Sequence, residues 1–396
     1  TGGAAGTGGA GGKPSDGGVM KPGTGGSSVM PPIKHVEPTG RSVFTAVHGV
    51  VDAERLLFCF ARVRDGTTTL VGEPVPAGGL AYGESLSFET LPHVDSKKDG
   101  IVPFVITGDL SLVDGLDCAD AVARAQAEKA VPPGDGAAGA GEGGAGGQGG
   151  EAGQTGASGA AGEGGISAAG AGGGAEQSGA GAGAGGEGGA PPKAVPKPPP
   201  LRVGSLPGLP AGTLAQGYSL LEVAVGCFGA PGFVDTQSDR ICGTGYMPSQ
   251  GTLTAEFVIL ARATESDKLA LQGLHASRGS PDLGIMVLPP ADAVQSTVTL
   301  VDNFAEGALR PAEPRIDLDA AAWGVSQFSW DVAATRYGSV AFTESWRAIE
   351  QRAQSGVPKN GRGYTLVVMG PSFEVDDQGW WNPPAFTVID NDPGGD

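Results

Sequence analysis

The chain of 396 residues carries a formal net charge of −18, with a pI near 4.6 and 39% hydrophobic residues. That acidity sets it against phosphate backbones and anionic lipid surfaces, which excludes nucleic-acid binding, and it has no run of about 18 apolar residues to cross a membrane as a helix. Its 72 Gly and 31 Pro are concentrated in tracts, which leaves about 300 residues to fold, enough for two packed cores.

Residues 1–38, with runs such as Thr1-Gly2-Gly3-Ala4-Ala5-Gly6 and Met30-Pro31-Pro32, hold too few apolar side chains to offset their ordering entropy. They are expected to form a flexible Gly/Pro-rich tether. This opening reads as the mature end of an exported chain after loss of a signal segment, in the manner of a surface lipoprotein.

Structure is expected from Ser42. Val43–Val47, Leu56–Val63, Ser85–Thr90 and Ile101–Thr107 are β-branched and aromatic runs of strand length, and Asp65-Gly66 supplies a turn. Asp117–Ala130 differs: Cys118, Ala121, Val122 and Ala125 recur at helical spacing, with Asp117 placed to cap the N-terminus. Residues 131–200 interrupt this pattern. Glycine recurs every third position from Gly141 to Gly165, but the stretch lacks the imino acids that a collagen helix needs, so a flexible tract is expected. Its end, Pro191–Pro200, should be stiffer.

Strand-like runs resume at Ser219–Val225, Leu253–Arg262, Leu269–Leu274, Leu283–Leu288, Val298–Val301, Phe328–Val332, Ser339–Phe342, Tyr364–Met369 and Phe386–Ile389. Trp346–Glu350 suits a helical turn or a strand end equally. Many short strands divided by turn residues imply an all-β chain of two immunoglobulin-like β-sandwiches, not βαβ units.

The four cysteines, Cys59, Cys118, Cys227 and Cys242, show neither C-x-x-C nor zinc spacing. In an exported chain they read as two disulfides. Cys227 and Cys242 flank a loop of turn formers, Phe228-Gly229-Ala230-Pro231-Gly232, and their pairing leaves Cys59 with Cys118.

Three local matches occur twice in the same order. Phe44–His48 matches Leu271–His275, Tyr82–Phe88 matches Tyr337–Phe342, and Gly217–Val223 matches Gly363–Met369. The gap between the second and third matches is far longer in the first copy, and the helix and Gly-rich tract account for the excess. The expected organisation is therefore a first sandwich over 41–262, interrupted by a disordered insertion over 131–200, and a second over 268–392. A long flexible insertion is tolerable because closure cost grows only logarithmically with length.

An opening strand ending in His, an apolar strand, a Tyr-Gly strand and a closing Gly-Tyr-Thr-Leu-Val-Val strand resemble the domain-of-unknown-function 4397 family. His48, Val50 and Asp52 match that family's His-x-Ser-Pro-Asp opening in part; His275-Ala276-Ser277-Arg278-Gly279-Ser280-Pro281-Asp282 matches it with inserted residues. The resemblance implies exported bacterial proteins with tandem immunoglobulin-like sandwiches, and it implies no reaction.

Catalytic motifs are sparse. His275, Ser277, Ser280 and Asp282 bring hydrolase-type residues into one stretch, but a triad must meet in space, and His48 has no serines beside it. Both histidines are expected to close strands. Asp376-Asp377 and Asp390-Asn391-Asp392 lack the glycine and distal Glu of a calcium loop, so no metal or cofactor is expected. Trp380-Trp381, before Pro383-Pro384, form a candidate binding pair for a sugar or a protein. The expected role is a non-enzymatic, secreted or surface-tethered structural protein. It would touch the membrane only through an N-terminal lipid anchor and have an envelope protein or glycan as partner. An adhesin using the Trp pair and a cryptic serine hydrolase are the alternatives.

Overall fold

The computed structural model describes residues 41–130, 200–229, 236–262, 266–289, 296–318, 331–353, 359–371 and 381–393. The expected tether, the Gly-rich tract of 131–199 and the Phe328–Trp330 part of one expected strand lie outside them. The protein is all-β: the described residues form four sheets of four strands each.

Eight strands build the first sandwich: β1 (Val43–Val50), β2 (Arg55–Arg64), β3 (Thr67–Ala81), β4 (Ser85–Phe88), β5 (Gly100–Thr107), β6 (Arg202–Ser205), β7 (Ser219–Gly226) and β8 (Thr254–Leu260). One sheet has the order β4-β1-β7-β8, the other β3-β2-β5-β6. β1 and β7 run parallel, from Val43 opposite Ser219 to Val50 opposite Gly226. Strands from both sides of the 131–199 tract therefore share both sheets of one sandwich, since β6 also pairs with β5.

The second sandwich contains β9 (Leu269–Ala276), β10 (Leu283–Leu288), β11 (Val298–Phe304), β12 (Leu309–Leu318), β13 (Asp331–Arg336), β14 (Ser339–Ser345), β15 (Arg362–Met369) and β16 (Ala385–Asp390). Its sheets, β12-β9-β15-β16 and β11-β10-β13-β14, reproduce those of the first strand for strand. β9 and β15 again run parallel.

Backbone bonds fix which residues correspond. His48 donates its N–H to the Glu84 carbonyl and accepts from Gly83; His275 donates to Ala308 and accepts from Gly307. Gly83 and Gly307, both at positive φ, are therefore counterparts. The sequence match of Tyr82-Gly83 with Tyr337-Gly338 is not a structural one, because Tyr337-Gly338 forms the turn between β13 and β14. The Gly217/Gly363 match is displaced by two residues, since His48 stands opposite Ala224 but His275 opposite Val368. A slip of two keeps every side chain on its own face, which is why the pattern still read as a match. The two-residue turn at Tyr337-Gly338 thus occupies the place between β13 and β14 that corresponds to the interval between Thr107 of β5 and Arg202 of β6.

The four sheets stack as layers with three apolar cores between them. Phe44, Ala46, Leu56, Phe58, Leu220 and Ala224 fill the first sandwich, and Leu271, Ile285, Val332, Leu366 and Phe386 fill the second. The middle core unites both sandwiches: Val47, Leu221, Val223 and Val225 meet Leu274, Ala276, Val367 and Met369. β1, β7 and β9 are therefore buried along their whole length, and β15 is buried apart from its first residue. This double burial explains why apolar residues dominate both faces of these strands, without the alternation of a half-exposed strand.

Helix α1 (Cys118–Ala130) covers the outer face of the β2–β5 sheet, where Ala121, Val122 and Ala125 meet Leu57, Ile106 and Leu201. Asp117 caps it by accepting from the Asp120 N–H at 2.9 Å, and Cys118 ties it to Cys59 of β2. Cys227 bonds Cys242, the last residue of the short helix α2 (Ser238–Cys242). Trp346–Ala353 forms a helix, α3, settling the ambiguity left by its sequence. The strands that sequence patterning does not anticipate, β3, β6 and β12, are all sheet edges; β3 carries Pro74 and Pro76, and β12 carries Pro311 and Pro314. Proline cannot donate to a ladder and is tolerated at an edge.

Candidate interaction site

β1, β7, β9 and β15 all finish at one end of the molecule, and contacts across the middle core there are reciprocal. The loop before β16 lies on the β1–β2 turn: the Asn382 N–H donates to Val51, and its side-chain amide to Ala53 at 2.7 Å. In return the β9–β10 turn lies on the β7–β8 loop, with Gly279 against Asp239 and Arg240, and Arg278 against Gly243. β8 faces the start of β12, where Glu256 lies beside Gly307; Gly83, before β4, faces Arg352. Burial and the neighbouring Glu306 raise the Glu256 pKa, while Arg278, 3.9 Å away, lowers it. Such mutual contacts define an isologous arrangement about a pseudo-two-fold axis that runs along the strands.

His48 and His275 organise the two turns in the same way. The His48 Nδ1 accepts the Val50 N–H at 3.2 Å, and the His275 Nδ1 accepts the Ser277 N–H at 3.3 Å. The His275 Nε2 then donates to the Pro281 carbonyl at 3.1 Å, while the carbonyls of Ala53 and Glu54 face the His48 ring. Both rings are neutral. Burial holds the His48 pKa down to about 3 and lowers that of His275.

These bonds consume the ring atoms that a serine hydrolase would need. Ser277 Oγ bonds Ser280 Oγ at 2.6 Å and donates to the Gly370 carbonyl at 2.8 Å. Asp282 accepts from Asn303 at 3.3 Å. The stretch therefore builds a turn, and its histidine, serines and aspartate do not form a relay.

Asp52, which sequence reasoning noted only for its family resemblance, is the hub of this end in the first sandwich. Its buried carboxylate accepts the N–H groups of Phe228 and Gly229 at 2.8 and 3.0 Å and bonds Arg202 at 2.8 Å. Arg202 in turn lies over the Phe228 ring at 5.4 Å. One carboxylate thus joins the β1–β2 turn, β6 and the loop after β7.

Trp381 packs half-buried on Val51, Ile241, Tyr246 and the Cys227–Cys242 disulfide. It packs at the junction between the sandwiches. Trp380 lies outside the described residues, as do Asp376 and Asp377. The acidic run near the end of the chain is tied up by cations at the opposite end of the molecule: Asp390 bonds Arg362 at 2.8 Å, and Asp392 bonds Arg41 at 2.7 Å. Asn391 accepts from Thr365 and donates to Ala261, each at 2.8 Å. Among the described residues, no three His, Cys, Asp or Glu side chains converge as a metal site.

Compared with protein-family models and with curated proteins, the chain matches none. Its two disulfides point to an oxidising, extracellular environment, and no described helix is long and apolar enough to cross a membrane.

Proposed function

We propose that this chain is a non-enzymatic, exported interaction protein of the bacterial envelope, built as a tandem repeat of one immunoglobulin-like sandwich and similar to the domain-of-unknown-function 4397 family. The observation that carries this reading is that the two His-ended turns are structural clamps, held by matching backbone bonds in both halves, while both disulfides are fully buried. Arg41 and Asp392 meet at the end opposite those turns, so a tether or lipid anchor attached there would hold the clamped end outward.

Export is tested by denaturing the protein directly from acid-quenched cells that make it and treating it with a thiol-reactive polymer, without reductant, since all four cysteines are buried in the folded chain. All four cysteines should resist tagging until reductant is added; spontaneous tagging would contradict the reading. The absence of catalysis is tested with a fluorophosphonate probe, which should leave the folded chain unlabelled at Ser277 and Ser280.

A further inference from the structure

Among the described residues, four large apolar side chains stand exposed: Leu112, Met247, Tyr337 and Val340, the last two 87% and 55% exposed. Strand direction places all four at the same end of the molecule. Leu112 follows the end of β5, Met247 lies in the loop between β7 and β8, Tyr337 is at the tip of the β13–β14 hairpin, and Val340 pairs with Thr335 just below it. The pseudo-two-fold axis brings the corresponding ends of both sandwiches together, and this is the end that carries Trp381. The opposite end, where Arg41 meets Asp392, shows no exposed large apolar side chain among the described residues.

We propose that this clamped end is a docking surface shared by both sandwiches, and that its partner is a folded protein with a basic rim. The proposal rests on the reading of the chain as an envelope interaction protein and assigns that interaction to a place.

Two observations select a protein partner. First, the anchors are spread across the layers: Leu112 beside the outer sheet of the first sandwich, Met247 in a loop of its inner sheet, Tyr337 and Val340 on the outer sheet of the second. A sugar or short peptide would need one concave pocket, whereas dispersed aromatic and aliphatic anchors in a polar field suit a broad protein interface. The intervening loops, Arg336-Tyr337-Gly338-Ser339, Thr244-Gly245-Tyr246-Met247 and Ser277-Arg278-Gly279-Ser280, combine Tyr, Ser, Gly and Arg as protein-binding loops do. Tyr337 is held outward at a positive φ of 50°, with the Arg336 guanidinium 5.0 Å over its ring. That conformation is unfavourable for a bulky residue, and the hairpin maintains it.

Second, the exposed acids at this end, Asp114, Asp117, Asp239, Asp282, Asp302 and Glu306, outnumber its exposed cations Arg55, Arg240 and Arg310, on a chain of net charge −18. This field repels anionic lipid and a second copy of the same face, and it attracts a basic rim.

The test uses the full chain and a naive phage-displayed library of folded single-domain scaffolds, selected without bias. Most recovered clones should lose affinity at least about ten-fold against Tyr337→Ala or Met247→Ala, keep it against Lys97→Ala at the opposite end, and carry excess Lys and Arg in their binding loops. The exposed positions let these variants keep their melting temperature, which is measured alongside. Epitopes spread evenly, or centred on Lys97, would overturn the proposal. So would Tyr337-dependent binding to an oligosaccharide array or to phosphatidylglycerol vesicles, or Tyr337-dependent self-association in sedimentation. Failure here leaves the cysteine-tagging result intact, so loss of the surface assignment is distinguishable from loss of the export reading.

Discussion

Glu222 stands directly opposite Ala46 in the parallel β1–β7 ladder, on the face that fills the first sandwich. It is 1% exposed, and neither carboxyl oxygen has a hydrogen-bond partner. Burial alone pushes its pKa up to about 8, so the group is a neutral acid inside the first sandwich. An unfolded chain releases that proton above its ordinary value near 4.5, whereas the folded chain keeps it until about 8. Stability from this group is therefore fully present below 4.5 and lost as pH rises towards 8, at about 1.4 kcal/mol per pH unit at most. Glu222→Gln should remove that loss. Urea denaturation at pH 5 and pH 8 should show the variant gaining stability relative to the parent at the higher pH; an equal effect at both would contradict the assignment.

The two clamp histidines have the opposite sign. Their folded pKa values lie below the ordinary 6.5 because burial disfavours the imidazolium. The unfolded chain takes up protons first as pH falls below 6.5, so their contribution is fully present above 6.5 and declines towards acid. Together with Glu222 they set a stability maximum at about pH 6.5, which a melting-temperature series from pH 4 to pH 9 should locate. His48→Ala should cost about 1–3 kcal/mol by leaving the buried Val50 N–H without its acceptor, and it should flatten the acid limb. A steep acid limb surviving in a His48→Ala, His275→Ala double variant would assign that limb to other groups.

The middle core bears on cooperativity. Val223 and Val367 occupy corresponding strands and meet in one apolar cluster, so neither sandwich can unfold without exposing the inner face of the other. Calorimetry of the full chain should give one transition whose calorimetric and van't Hoff enthalpies agree. Val223→Asp places an unpaired charge in that core and should lower the whole transition. Two separate transitions in the parent protein would show that the sandwiches are independent.

What the sequence made legible follows from how each residue is buried. β1, β7, β9 and β15 were readable because burial on both faces makes them predominantly apolar, and the Cys227–Cys242 bridge was readable because its loop is short and rich in turn formers. β3, β6 and β12 were not: the prolines of β3 and β12 and the glycines of β3 suit edge strands and read locally as loops, and β6 is only four residues long. The Tyr-Gly match failed for a related reason: two residues suffice for a turn anywhere, and the true counterpart of Tyr82-Gly83 is Glu306-Gly307, which shares only the glycine. The packing of Trp381 was not legible, because Val51 and Cys227, which it meets, come from the other sandwich. The Tyr337 and Met247 surface was equally hidden, since exposure at a common end depends on strand direction and on the pseudo-two-fold axis.

The Cys59–Cys118 bridge gives the last prediction. Both cysteines are fully buried in the cluster beneath α1, beside Leu57, Ile106, Val122 and Leu201, and the bridge closes a span of 59 residues. Constraining a loop of that length stabilises a fold by about 4 kcal/mol on the chain-entropy estimate. Replacing both cysteines with serine should therefore lower the urea midpoint. It should also loosen α1 first, because the helix is held to the sheet by this bond, by small Ala121 and Ala125, and by the Glu128 carboxylate accepting from the Leu201 N–H at 2.9 Å. Hydrogen exchange should show α1 losing protection while β1 and β7, buried on both faces, keep theirs. Uniform loss of protection across the first sandwich would mean that the bond supports the core itself, and that α1 is part of the sandwich and not a cover over it.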